Sequence, residues 1–278
     1  MLVFLFRPQD LWYTADMKWM LGLVAVILIA TTFVWLSLQP SEPTGAPRLV
    51  DDSRERAASG SDVTTVASSA PKVTVLAENL SIPWEVLFLP DGQLLVTERP
   101  GRLVLLPSGT EIPVPGIHSV GEGGLLGAAL HPDFVNNQWL YLYETTRAGQ
   151  GLENRIVRYR LTDSRLTLES VILDGIPGAR YHDGGRLAFG PDGYLYATVG
   201  DALNPEAAQD PNTLAGTLLR LTDEGAPAPG NPLETVVYSY GHRNAQGITW
   251  DSANQLWSSE HGRSGLQSGF DEINQILP

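Results

Sequence analysis

Cysteine is missing from all 278 residues. That excludes disulfides, thiolate metal sites and cysteine nucleophiles, and it lets the chain live in an oxidising compartment without mispairing. Basic residues are scarce as well, with 18 Lys and Arg against 31 Asp and Glu and a formal net charge of −13. Phosphate backbones are held by clustered cations, so no nucleic-acid partner is expected. With 43% hydrophobic and 18% charged residues, the composition is that of a globular protein long enough for one sizeable domain plus appendages.

Charge is absent altogether from residues 19–38, WMLGLVAVILIATTFVWLSL. Twenty residues at a helical rise reach about 30 Å, the thickness of a bilayer core, so a transmembrane helix or signal anchor is expected here. Trp19 and Trp35 lie near its ends as interfacial anchors, and Lys18 abuts its start. A cleaved secretory signal is the alternative, but the run is long and no small-x-small cleavage site follows closely. Arg7 and Lys18 precede the run and the nearest cation after it is Arg48. The bias is weak, and it favours a cytoplasmic tail over 1–18 and a single-pass protein of the cell membrane with its body on the periplasmic, extracytoplasmic side. Met17-Lys18 also reads as a natural start, which would make residues 1–16 an upstream extension. From 39 to 71 the sequence turns to Ser, Pro, Gly, Ala, Asp and Arg without a hydrophobic period, the composition of a flexible linker.

No long helical pattern follows Lys72. Short strand-like runs are broken by turn signals, and the sequence echoes itself. Phe88-LPDGQLLVTE-Arg99, Leu130-HPDFVNNQWLYLYE-Thr145, Phe189-GPDGYLYATVG-Asp201 and Trp250-DSANQLWSSE-His261 share one layout: a strand end, a polar turn, then an apolar strand closing on a polar residue. Their starts are 42, 59 and 61 residues apart. Periods of this size with strand-turn-strand content predict an all-β propeller over 72–278. A β-sandwich would give alternating strands but no reason for one turn layout to recur. Asp91, Asp133 and Asp192 read as turn formers, and His131 as a structural part of the same layout.

The stretch His182-DGGRLAFGPDGYLYATVG-Asp201 organises the rest. Leu187 and Phe189 alternate with smaller residues, Pro191-Asp192-Gly193 supplies a turn, and Tyr194–Val199 reads as the returning strand. His182 and Asp201 then fall at the same end of a hairpin, where a histidine and a carboxylate can act as a general base and its orienter. Each also has a plain structural reading, as a hydrogen-bonded surface histidine and a turn residue. Arg243 has one too, as a blade-edge ion-pairing residue, with His242 beside it a surface histidine. Gly-His-Arg-Asn as a unit between two strands is harder to explain by packing.

Six ordered stretches carry a family resemblance: Pro83-WEVLFLPDGQLLVTERPGRL-Val104, Gly121-EGGLLGAALHPDF-Val135, Asn154-RIVRYRL-Thr162, His182-DGGRLAFGPDGYLYATVGD-Ala202, Tyr240-GHRNAQGITWD-Ser252, and Ser259-EHG followed by Asp271-EIN. Over about residues 73–277 the chain resembles the soluble-type pyrroloquinoline-quinone-dependent sugar dehydrogenases, which are six-bladed propellers. The resemblance implies that His182 removes the proton from an anomeric hydroxyl as hydride passes to the quinone, with Asp201 supporting it. It implies that Arg243 and Asn244 contact the quinone and that Arg243 stabilises charge on the reduced carbonyl. Main-chain oxygens of Gly262 and Arg263 are implied to hold a calcium ion that binds the cofactor, and Glu272 resembles a ligand of a structural calcium. Backbone and carboxylate oxygens suit that ion, and the cofactor carries the difficult chemistry.

Three departures stand out. Glu122 replaces the glutamine usual in the family and adds negative charge near the expected sugar and quinone. Arg263 stands where proline is common, and residues 264–270 read as a short insertion. Four repeats fit before Pro278 whereas the family closes with six, so the expectation is a C-terminally incomplete propeller, unstable or weakly active alone. The leading function is a membrane-tethered quinoprotein oxidising an aldose to its lactone, with an external electron acceptor. A calcium-dependent propeller lactonase and a non-catalytic propeller binding carbohydrate or protein are the alternatives.

Overall fold

A computed structural model describes residues 74–265 and 268–277. The expected transmembrane run at 19–38 and the linker at 39–71 lie outside the described residues. Among the described residues, no helix is long and apolar enough to cross a membrane.

Among the described residues, fifteen strands form four antiparallel sheets in chain order. The first holds β1 (Pro83–Phe88), β2 (Leu94–Glu98), β3 (Arg102–Leu106) and β4 (Thr110–Pro113). The second holds β5 (Leu125–Leu130), β6 (Trp139–Ala148), β7 (Gly151–Thr162) and β8 (Arg165–Gly178). The third holds β9 (Leu187–Phe189), β10 (Leu195–Val199), β11 (Thr217–Leu221) and β12 (Val237–Tyr240). The fourth holds three strands, β13 (Ala245–Trp250), β14 (Leu256–Glu260) and β15 (Glu272–Gln275). Each is a simple meander, the content of a propeller blade.

The four echoed stretches are the first hairpin of each sheet. Phe88 pairs with Leu94, Leu130 with Leu140, Phe189 with Leu195 and Trp250 with Leu256, so the repeat in sequence is a repeat in register. The turn aspartates act as expected. Asp91 Oδ1 accepts the Gln93 N–H at 3.0 Å, and Asp192 Oδ1 accepts that of Tyr194 at 3.2 Å. His131 is structural: its Nδ1 accepts the Asp133 N–H at 3.0 Å, and its ring meets Trp139 edge-on. Two features differ from the sequence reading. The second turn folds into one helical turn, α1 (Phe134–Asn137), and β6, β7 and β8 run to 10, 12 and 14 residues.

Neighbouring sheets pack face to face, and the strand period of two explains how. In β6, Leu140 and Leu142 join Leu95, Leu103 and Val157 in the core between the first two sheets. The alternate residues Tyr141 and Tyr143 point the other way, into the core shared with Leu187, Leu195 and Val199 of the third sheet. β10 repeats the device, with Leu195, Ala197 and Val199 facing the second sheet and Tyr196 meeting Ala245 and Leu256 of the fourth. Strands buried on both faces need apolar residues at successive positions, which is why these runs are nearly continuous. Each fully buried Leu stabilises by about 1.5–3 kcal/mol. Three inter-sheet cores in series are the propeller arrangement, not the single core of a sandwich.

Candidate active site

In an antiparallel meander the second-to-third connection and the crossing to the next sheet emerge at one end. The other two turns emerge opposite. Glu122 lies between β4 and β5, His182 between β8 and β9, Asp201 between β10 and β11, Arg243 and Asn244 between β12 and β13, and Gly262 and Arg263 between β14 and β15. All seven therefore fall on the same end of the propeller, away from Asp91, Asp133 and Asp192. Topology alone gathers them.

His182 and Asp201 meet as the hairpin reading expects. His182 Nδ1 lies 2.7 Å from Asp201 Oδ1, and the side chains are only 13% and 5% exposed. The carboxylate accepts from Nδ1–H, which leaves Nε2 as the basic nitrogen. The same Oδ1 accepts the Leu203 N–H at 2.8 Å. Close approach requires a glycine after β10: a Cβ on Gly200 would sit 1.9 Å from the His182 carbonyl oxygen. His182 itself is left-handed at φ 66°, and its N–H donates to Glu122 Oε2 at 2.8 Å. Behind it, Asp183 is held by Asn154 Nδ2 at 3.0 Å and the Ala179 N–H at 3.1 Å. Burial pushes the Asp183 carboxyl above its ordinary range, and its Oδ2 is buried without a hydrogen-bond partner.

Asn244 differs from expectation. Its side chain is buried and works behind the wall, with Oδ1 accepting the Gly184 N–H at 3.0 Å and Nδ2 donating to Glu122 Oε2 at 3.2 Å. Glu122 thus joins His182 to Asn244. Arg243 does face the open space. Its Nη1 donates to the His261 carbonyl at 3.0 Å, and its own carbonyl accepts the Asp201 N–H at 2.8 Å.

Sequence reading missed two residues here. His242 is buried, not a surface histidine, with Nε2 2.9 Å from Ser239 Oγ and Nδ1 3.0 Å from Glu260 Oε2. The other Glu260 oxygen takes the Arg243 N–H. Burial raises the Glu260 carboxyl, but the bonds from His242 and the backbone outweigh it and hold the group below its ordinary range. One carboxylate therefore staples the Gly-His-Arg-Asn segment to the end of β14. The signal was the glutamate of Ser259-EHG, placed at a strand end opposite that segment.

His182, Asp201, Leu203, His242, Arg243 and Arg263 line one cleft of about 410 Å³. That volume suits a small-molecule ligand. A planar, acidic quinone fits the donor set, since the walls offer guanidinium groups, a histidine and the apolar side chain of Leu203. Calcium does not fit in the same way. The ion takes about six to eight oxygens, and the cleft lining offers one carboxylate, that of Asp201; the Arg263 carbonyl accepts the Gly269 N–H at 3.0 Å. Glu272 lines a separate hollow of about 350 Å³ with Glu260 and Asp271, and its carboxylate accepts from Asn274 Nδ2 at 3.2 Å. Among the described residues, no group of three or more His, Asp or Glu could hold a metal ion.

Comparison with known proteins follows the same lines. The sequence profile of the family described as Glucose / Sorbosone dehydrogenase matches residues 80–278. The aldose sugar dehydrogenase YliI of Escherichia coli is 35% identical over 226 residues, which cover 75% of this chain and 60% of that protein. Quinoprotein glucose dehydrogenase B of Acinetobacter calcoaceticus is 34% identical over 242 residues, covering 73% of this chain and 50% of that protein. The PQQ-bound aldose sugar dehydrogenase of Streptomyces coelicolor superposes with a TM-score of 0.69 at 40% identity, over 74% of this chain and 63% of that one. The chain spans half to three-fifths of the length of these curated relatives.

Proposed function

Because the chain belongs to the glucose/sorbosone dehydrogenase family, we propose that it is a quinoprotein oxidoreductase that oxidises an aldose at the anomeric carbon to the lactone, using pyrroloquinoline quinone. The observation that carries the reading is the 2.7 Å contact of His182 with Asp201, in a cleft that Arg243 also lines. A bound quinone supplies the hydride acceptor, and the protein supplies position and charge.

His182 is the base. With Nδ1–H committed to Asp201, Nε2 takes the anomeric hydroxyl proton as the C–H bond yields its hydride, and the Asp201 carboxylate steadies the imidazolium that results. Glu122 and Asn244 hold the His182 segment in its left-handed conformation and act as positioning residues. Arg243, fixed through its backbone to Asp201 and Glu260, presents a permanent positive charge to an anionic cofactor or a developing oxyanion. The uncharged run at 19–38 supports a further proposal, that the chain is tethered to the cell membrane with the propeller on the extracytoplasmic side and passes its electrons to an external acceptor.

The test is reconstitution of the full chain with pyrroloquinoline quinone, followed by an artificial-acceptor assay on a panel of aldoses. Sugar-dependent reduction is expected, and His182→Ala should lower it by about 10² to 10⁴ while sparing quinone binding. A quinone-loaded chain that reduces the acceptor with no sugar, or a His182→Ala variant of unchanged rate, would refute the assignment.

A further inference from the structure

The connection from β10 to β11 brings more than Asp201 to the cleft. Asp201 ties down its first turn, with Oδ1 accepting the Leu203 N–H at 2.8 Å and the main-chain carbonyl accepting the Asn204 N–H at 2.8 Å. A single 3₁₀ turn follows, Ala207–Gln209. Its middle residue, Ala208, is buried, and the Ala208 carbonyl accepts the Gly241 N–H at 2.8 Å, which fixes the turn against the Gly-His-Arg-Asn segment. Leu203 and Gln209 both line the cleft with His182 and Arg243. Leu203 is 53% exposed and belongs to none of the three inter-sheet cores, yet it is held at φ 66°, a conformation that L side chains rarely adopt. The Gln209 amide lies beside Gly241, where a Cβ would meet Nε2 at 3.7 Å and Oε1 at 3.9 Å and nothing nearer. Among the described residues, that amide has no hydrogen-bond partner.

We propose that Gln209 and Leu203 form the sugar-recognising subsite of the cleft: the Gln209 amide hydrogen-bonds a hydroxyl other than the anomeric one, and Leu203 packs against the C–H face of the ring. The inference deepens the quinoprotein reading above and rests on it. Its physical basis is complementarity to a neutral polyol. A hydroxyl both donates and accepts, and a primary amide offers it an acceptor and two donors on one rigid plane. A pyranose ring also has a face of C–H groups, which an apolar side chain covers at no cost in lost hydrogen bonds. Both residues lie on the connection that carries Asp201, and the Asp201 oxygen that orients His182 also holds the Leu203 N–H. The group that reads the sugar and the pair that deprotonates it are therefore mounted on one piece of backbone.

The test uses the full chain loaded with pyrroloquinoline quinone, assayed with an artificial acceptor on its best aldose and on the monodeoxy analogues of that sugar. In the wild type one analogue should fall about 10-fold or more below the parent in kcat/KM, because a group placed to bond a hydroxyl is left unpaired without it. Gln209→Leu should raise KM for the parent sugar about 3- to 10-fold, with the effect in KM and little in kcat, and should erase the penalty for that one analogue. Gln209→Ala gives the same readout if the leucine variant misfolds. Leu203→Ser should raise KM for every sugar of the panel alike and keep the pattern of deoxy penalties. Quinone affinity by tryptophan fluorescence should stay within about threefold in each variant, since the lost contacts are to the sugar. An unchanged KM with the same deoxy penalties in Gln209→Leu would overturn the inference and leave the quinone reading intact. A quinone-loaded wild-type chain with no sugar-dependent turnover would overturn both.

Discussion

Asp201→Asn removes one charge and almost no volume, so it isolates what the carboxylate does for His182. An asparagine oxygen can still accept from His182 Nδ1 and from the Leu203 N–H, the two bonds that Asp201 Oδ1 makes at 2.7 and 2.8 Å. Lost is the attraction between the carboxylate and the imidazolium that forms when His182 takes a proton. Two unit charges at that separation attract by about 6 kcal/mol at an effective dielectric of about 20. The pair is poorly exposed, so bulk water screens little of it, and this sum is a ceiling that reorganisation lowers. A fall in single-turnover rate of about 10² to 10⁴ follows, equivalent to about 2.7–5.4 kcal/mol. Stopped-flow absorbance of sugar-dependent quinone reduction measures that rate, and a fluorescence titration measures quinone affinity. The affinity should stay within about threefold, because the charge acts on the transition state and not on the resting complex. An unchanged single-turnover rate would refute the orienting role, and so would a loss that lies wholly in quinone binding.

Glu122→Gln keeps an oxygen for the His182 N–H and for Asn244 Nδ2 while deleting a negative charge beside the cleft. Quinone should bind about 2- to 10-fold more tightly in the fluorescence titration, and weaker binding would count against the reading. Asp183 titrates with the opposite sign to a salt-bridged carboxylate. Burial raises its value, so the stability it contributes is complete below the unfolded value and is lost as pH rises through the raised one. Asp183→Asn should therefore flatten the fall in melting temperature above about pH 4, and an unchanged slope in thermal melts refutes the assignment. Gly200→Ala places a methyl group 1.9 Å from the His182 carbonyl oxygen, so urea melts should show a loss of about 1–3 kcal/mol or more. A variant of wild-type stability would mean that the close approach is not real.

The four hairpins were legible because each announces itself twice, once by its turn chemistry and once by the alternating strand that follows. Legible with them was the gathering of His182, Asp201, Arg243 and Arg263, since their place at strand ends fixes which side of a meander they occupy. Side-chain direction was not legible. Asn244 was expected to face the cofactor, yet the pairing of Gly184 N–H with its Oδ1 turns it inward, and nothing local to Asn244 foretells that partner. His242 and Glu260 are 18 residues apart and meet only through the pairing of β13 with β14, where the register shifts between Ala245 and Gly247. A bulge of that kind re-aims side chains and leaves no sequence signature of its own. Arg263 was weighed for its backbone oxygen alone, because its bridge to Gly269 depends on how the inserted loop folds.

The site is assembled from backbone that does not hold itself. His182 has φ 66°, and on the facing connection Ala202 and Leu203 have φ 50° and 66°, each costing a non-glycine residue about 1–3 kcal/mol. Local hydrogen bonds account for part of the offset, since Asp201 Oδ1 binds both His182 Nδ1 and the Leu203 N–H, and Glu122 holds the His182 N–H. The remainder comes from the sheets on which the two connections are mounted. β10 carries Asp201 out of the core between the second and third sheets, where Leu195, Ala197 and Val199 pack against Tyr141, Tyr143 and Leu187. Beneath His182 the Tyr143 hydroxyl donates to the Asp183 carbonyl at 2.9 Å, so the same core grips the other connection. The distance between base and orienter is thus set by inter-sheet packing, and a cavity cut into this core would be felt at His182 before it was felt in the first sheet.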